Sequence, residues 1–171
     1  MLLERAISVL AFGSLLGLAI APSLGCTAGT ASSDCALNSC NNGASVKIYA
    51  NVTADVMSAS TVTACLNDGC VSGTPTSLPS STSARLTIAL QGALSVSGYI
   101  SGPDPVKGYL IEADFDLSTA ATANGDIYKL AVVSNGQAVP GQVTQPATYT
   151  RSTPNGADCP PTCETVDIEP Q

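Results

Sequence analysis

From Ser45 onward the apolar positions of the chain recur every second residue. Val46, Ile48, Ala50 and Val52 alternate with Lys47, Tyr49 and Asn51, and a period of two sorts the two sets onto opposite faces of an extended strand. The alternation returns at Val62, Ala64 and Leu66, then at Leu86, Ile88 and Leu90 with Arg85 and Thr87 outward, and again at Leu94, Val96, Gly98 and Ile100. Its clearest instance is Tyr109, Ile111, Ala113, Phe115 and Leu117, which leaves Glu112, Asp114 and Asp116 on the other face. Further strands are predicted over 127–134, over 138–143 (where Pro140 implies an edge), over 147–152 and over 162–168. Turn chemistry punctuates them at Asp68-Gly69, Gln91-Gly92-Ala93, Gly102-Pro103, Asn124-Gly125-Asp126 and Asn135-Gly136. Gly73 to Ala84 reads as a Ser/Thr/Pro loop, and Ser118 to Ala123 as a helical turn at most. Eight or nine short strands with turn signals at roughly 8–12-residue spacing predict an all-β, antiparallel β-sandwich.

The first 25 residues follow another rule. Arg5 precedes an apolar run from Ala6 to Ala21 that Pro22 ends. That run is shorter than the roughly 20 residues of a membrane span and suits the core of an export signal. The next residues, Ser23-Leu24-Gly25-Cys26, resemble a bacterial lipobox, with Leu24 one place nearer the cysteine than usual. The resemblance implies that residues 1–25 are a lipoprotein signal peptide, that Cys26 is lipidated, and that the lipid ties the chain to a membrane. Thr27, in place of an Asp, implies the outer membrane of the cell envelope. Two other cuts compete, one after Ala21 with Pro22 following unfavourably, the other after Gly25 without lipid. Residues 26–44, small and rich in Ser, Thr and Asn, read as a tether, and 45–171 as the sandwich domain.

Seven cysteines are an odd number for an exported chain, and a lipid on Cys26 leaves six to pair. Their spacing groups them as Cys35 with Cys40, Cys65 with Cys70, and Cys159 with Cys163. An oxidising compartment favours disulfides, and the Asp68-Gly69 turn would bring Cys65 and Cys70 face to face. The local pairing is one of 15 for six cysteines. Four thiolates could instead hold zinc, but neither the spacings nor a chain without histidine resembles the usual sites.

The segment Asn124-Gly125-Asp126-Ile127-Tyr128-Lys129-Leu130 resembles the strand entry of immunoglobulin-like domains, in which a corner tyrosine bonds back to the loop. The resemblance implies that role for Tyr128 and an immunoglobulin-like sandwich, although no Trp is present. The segments 61–70 and 149–163 are similar to a group of lipoproteins from myxobacteria and their relatives, which implies an envelope location and no activity.

Charge and composition then narrow the function. Six Lys and Arg against thirteen Asp and Glu leave no basic patch, which excludes nucleic acid as a partner. The absence of histidine removes Ser-His-Asp and Cys-His catalysis, and no Gly-x-Ser-x-Gly elbow occurs. Glu112, Asp114 and Asp116 form a carboxylate ladder with rungs about 6.5–7 Å apart. The ladder could seat Ca²⁺ with Asp104 or Asp126, serve as a glycosidase-like acid pair, or simply wet an outer sheet face. Tyr99, Tyr109, Tyr128 and Tyr149 could stack on sugars or fill core and corner. Lys47, Lys107 and Lys129 read as surface charges. The expectation is a non-enzymatic, membrane-anchored envelope lipoprotein with no resident cofactor, whose sandwich is structural or binds an envelope protein. The alternative is a calcium- or glycan-binding adhesion domain.

Overall fold

The computed structural model describes residues 39–170, so the expected signal segment, Cys26, Cys35 and most of the expected tether lie outside the described residues. The strands are β1 (Gly43–Ala50), β2 (Ser60–Leu66), β3 (Gly69–Gly73), β4 (Ser81–Ile88), β5 (Gln91–Gly92), β6 (Val96–Asp104), β7 (Gly108–Asp116), β8 (Ile127–Ser134), β9 (Gln137–Ala138), β10 (Val143–Pro146), β11 (Thr150–Ser152) and β12 (Cys163–Ile168). They form two sheets, in the orders β11-β12-β1-β7-β6-β4 and β10-β8-β2-β3-β5, with β9 paired to β8. All pairs are antiparallel except β1 with β12. An all-β sandwich is therefore the fold.

The period-two pattern is what builds it. In β1 the burial alternates residue by residue, with Ala44, Val46, Ile48 and Ala50 inward. Its register against β7 sets Val46 opposite Ala113 and Ile48 opposite Ile111 on the core face. The same register leaves Ser45 opposite Asp114 and Lys47 opposite Glu112 outside. A slip by one residue would drive both carboxylates into the core, so the register is strongly specified. Ile88, Ile100 and Phe115 join these residues, and Val62, Val71, Tyr128, Leu130 and Val132 supply the facing sheet. Each large apolar side chain so enclosed contributes about 1.5–3 kcal/mol.

Several boundaries differ from the sequence reading. Among the described residues there are twelve strand segments where eight or nine were expected, and β5 and β9 are only two residues each. The sandwich starts at Gly43 rather than Ser45. Asn42 is stitched in as well, its backbone oxygen accepting from Leu117 N and its Oδ1 from Glu164 N. The loop expected over Gly73 to Ala84 gives up its end to β4, which begins at Ser81. The strand expected over 138–143 breaks between β9 and β10, because Pro140 offers no N–H and Gly141 takes a positive φ of 100°. Ser118 and Thr119 form a turn, Ala120 N donating to Leu117 O, and the helix α1 (Ala54–Ser58) was not expected; there Thr53 caps Val56 N and Met57 is fully buried.

The disulfides correct the spacing argument. Cys65 and Cys70 are bonded, standing directly opposite each other in the β2–β3 pair. Cys40, however, is bonded to Cys163 across 123 residues of sequence. The parallel pairing of β1 with β12 sets Gly43 beside Thr165, which brings these two cysteines to a Cα–Cα distance of 5.9 Å. Neither Cys35–Cys40 nor Cys159–Cys163 forms, because strand order overrides proximity in sequence. Cys159 is also in a disulfide.

Candidate functional site

Glu112 and Asp114 share the half-buried outer face of β7, with Asp116 exposed at its end. The strand order places β6 and then β4 beside them, and Arg85 of β4 reaches across β6. Its Nη2 lies 2.8 Å from Glu112 Oε2 and 3.5 Å from Asp114 Oδ2. The guanidinium rests on the Tyr99 ring, 3.7 Å from the centroid, a cation–π contact that holds it in place. From β1, Ser45 Oγ donates to Glu112 Oε1 at 3.2 Å. Asp116 turns away and accepts from Ser118 N, which holds its carboxyl below the usual range. Two rungs of the ladder thus share one cation, and the third serves a turn.

The carboxylates expected to complete a calcium site are elsewhere. Asp104 Oδ1 accepts from Val106 N and Lys107 N, both at 2.8 Å, closing the β6–β7 turn. The bond from Lys107 N, then that from Val106 N, holds its carboxyl below the usual range. Asp126 belongs to the entry of β8 in the other sheet. Among the described residues, no three His, Cys, Asp or Glu side chains come together in a group that could hold a metal ion. The described cysteines are all disulfide-bonded, so they offer no thiolates for zinc.

At the β8 entry lies a hydrogen-bonded chain of side chains. Tyr128 is fully buried, with its ring edge-on to Phe115 at 5.0 Å. Its hydroxyl is 2.6 Å from that of Tyr149, and Tyr149 donates onward to Asp126 Oδ2 at 3.1 Å. Asp126 also accepts from Ala123 N and from Asn67 Nδ2. Burial works against its charge, but these three donors prevail and keep the carboxyl below its ordinary range. Burial, followed by the Tyr128 bond and the nearby Asp126 charge, lifts the Tyr149 phenol far above the usual phenolic range. Tyr128 moves up as well, chiefly through burial. The tyrosine at the corner therefore bonds to a second tyrosine side chain, where the resemblance implied a bond back to the loop.

Asn67, which the sequence reading did not single out, ties the other side of this clasp. It sits at a positive φ of 52° in the β2–β3 turn. Its Nδ2 donates to Asp126 Oδ1, its Oδ1 accepts from Ile127 N, and its backbone N donates to Ile127 O at 2.7 Å. An Asn before Asp-Gly marks a left-handed turn position, but the remote partner had no signal. Arg85 read only as an outward residue for the same reason.

The tyrosines are used internally. Tyr109 is buried in the core, Tyr99 lies under Arg85, and Tyr128 and Tyr149 form the clasp. Of the lysines, Lys47 pairs with Glu169 at 2.7 Å, while Lys107 sits 4.8 Å over the ring of Tyr49. Tyr49 and Lys107 line a shallow, mainly apolar hollow with Asn51, Val106, Pro140, Gly141 and Pro170. Val106 projects beside it at 76 % exposure, the most exposed large apolar side chain among the described residues. Chemically these sites offer shape, charge pairing and an apolar contact. Comparison with protein-family models, with curated proteins and with solved structures finds no match for this chain.

Proposed function

We propose that the chain is a lipid-anchored protein of the bacterial outer membrane whose non-catalytic sandwich is a structural or protein-binding module of the cell envelope. The observation that carries this reading is the state of the cysteines. Four described cysteines pair with one another, and Cys159 is bonded as well. Such extensive disulfide use belongs to an exported protein. Cys159 takes one further cysteine, which leaves a single one of the seven over, as a lipid on Cys26 requires. Metabolic labelling with an alkyne fatty acid in an exporting bacterial host tests the reading. Label and membrane association are expected in the native sequence and lost in Cys26→Ser. A native chain without lipid in the soluble fraction would overturn it.

The module half of the proposal rests on the exposed Val106 beside the Tyr49–Lys107 hollow. A photo-crosslinker at position 106 is expected to trap another envelope protein, whereas one at position 125 is not. Equal yields from both positions would reject this surface. The finer architectural reading is an immunoglobulin-like sandwich, supported by two layers and a buried tyrosine at the second position of β8. The calcium- or glycan-binding alternative is weaker, because Arg85 already occupies the space between Glu112 and Asp114, Asp116 is turned to Ser118 N, and the tyrosines named for stacking are engaged.

A further inference from the structure

We infer that the Cys65–Cys70 disulfide is a thiol-exchange site, at which Cys70 takes up a low-molecular-weight thiol and Cys65 is the leaving group. Cys65 is 5 % exposed, whereas Cys70 is exposed on β3 beside the two-residue strand β5. Of the two half-cystines, Cys70 is thus the one on the open side for an incoming thiolate. On the other side of β2, Lys129 of β8 stands directly opposite Cys65. Directly paired residues share a sheet face with Cβ atoms about 4.5–5.5 Å apart. Lys129 is exposed and has no ion pair among the described residues. A cation so placed favours the thiolate that departs, and a better leaving group speeds exchange.

The step balances without an outside oxidant. The thiolate attacks Cys70 Sγ and forms a new S–S bond, while the Cys65–Cys70 bond breaks. Its electron pair leaves on Cys65 Sγ as a thiolate, which water can protonate. A second thiol then releases Cys70 as a free thiol, with the two small thiols leaving as their disulfide. The Cys40–Cys163 bond is the internal control: Cys163 is 2 % exposed and Cys40 is half-buried, whereas Cys70 is exposed.

The test exposes the full chain, disulfides intact, to reduced glutathione, quenches with an alkylating reagent and maps the peptides. The mixed disulfide is expected on Cys70 and the alkyl tag on Cys65, forming at least about tenfold faster than any opening of Cys40–Cys163. Lys129→Gln should slow this about two- to threefold, Lys129→Arg should restore it, and high salt should narrow the difference. Equal rates at the two disulfides, or an adduct on Cys65, would overturn the site. A Lys129→Gln rate equal to the native one would overturn the role given to Lys129.

Discussion

Replacing Tyr149 by Phe removes a single oxygen, yet that oxygen joins a fully buried tyrosine to a carboxylate. The substitution breaks the 2.6 Å contact with the Tyr128 hydroxyl and the 3.1 Å bond to Asp126. A neutral hydrogen bond contributes about 1 kcal/mol and one to a charged group about 1.5–3, while an orphaned buried hydroxyl costs about 1–3. Asp126 keeps Ala123 N and Asn67 as donors, so the lower end applies there. The expected loss for Tyr149→Phe is about 3 kcal/mol. Tyr128→Phe should lose only about 1, because Tyr149 still serves Asp126. The double variant should cost less than the sum by about 1–2 kcal/mol, since removing both hydroxyls leaves no orphan. Urea unfolding with the disulfides intact measures all three at constant m. A Tyr149→Phe loss below about 1 kcal/mol, or strict additivity in the cycle, would refute the clasp. The clasp also sets an alkaline limit. Both phenols have folded values raised above their unfolded value of about 10, so their contribution is full below about pH 10 and fades as pH rises toward the folded values. The double variant should lose that dependence.

Other consequences can be checked on the same protein. The chain-entropy relation assigns about 2 kcal/mol to the crosslink spanning 5 residues and about 5 to one that alone spans 123. The bond of Cys159 already ties the C-terminal end back to the N-terminal cysteines, so Cys40→Ala with Cys163→Ala should cost only about 2–3 kcal/mol in denaturation, close to Cys65→Ala with Cys70→Ala, and a loss near 5 would contradict that shared crosslinking. Gly141 has a φ of 100°, and a Cβ there would lie 2.1 Å from Tyr49 O, whereas Gly125 at 96° has open space around it. Gly141→Ala should lose more than about 2 kcal/mol and Gly125→Ala about 1, read as unfolding midpoints. Arg85→Gln should cost about 1 kcal/mol, a loss that shrinks with added salt, because it removes an exposed ion pair and its cation–π contact.

How much of this was legible depended on the range of the interaction. The alternation in Tyr109 to Leu117 marks β7 and its outward carboxylates without any knowledge of its neighbours. The turn at Asp68-Gly69 likewise pairs Cys65 with Cys70 within one hairpin. By contrast, nothing near Cys40 points to Cys163, because that partnership exists only once β12 lies parallel to β1. Thr53 is a readable helix cap, but a five-residue helix with one buried side chain leaves no periodicity to detect.

Strand identity, face and turn position belong to the sequence itself, since the two-residue period and the demands of left-handed turns are local properties of the chain. The order of the strands is a tertiary matter, set by which apolar faces close over one core. That order alone brings Arg85 across to Glu112 and Asp114. It also joins Tyr128 to Tyr149 and sets Lys129 beside Cys65. Charges, hydroxyls and thiols act over a few ångströms, so their chemistry is settled by neighbours that the chain supplies from tens of residues away.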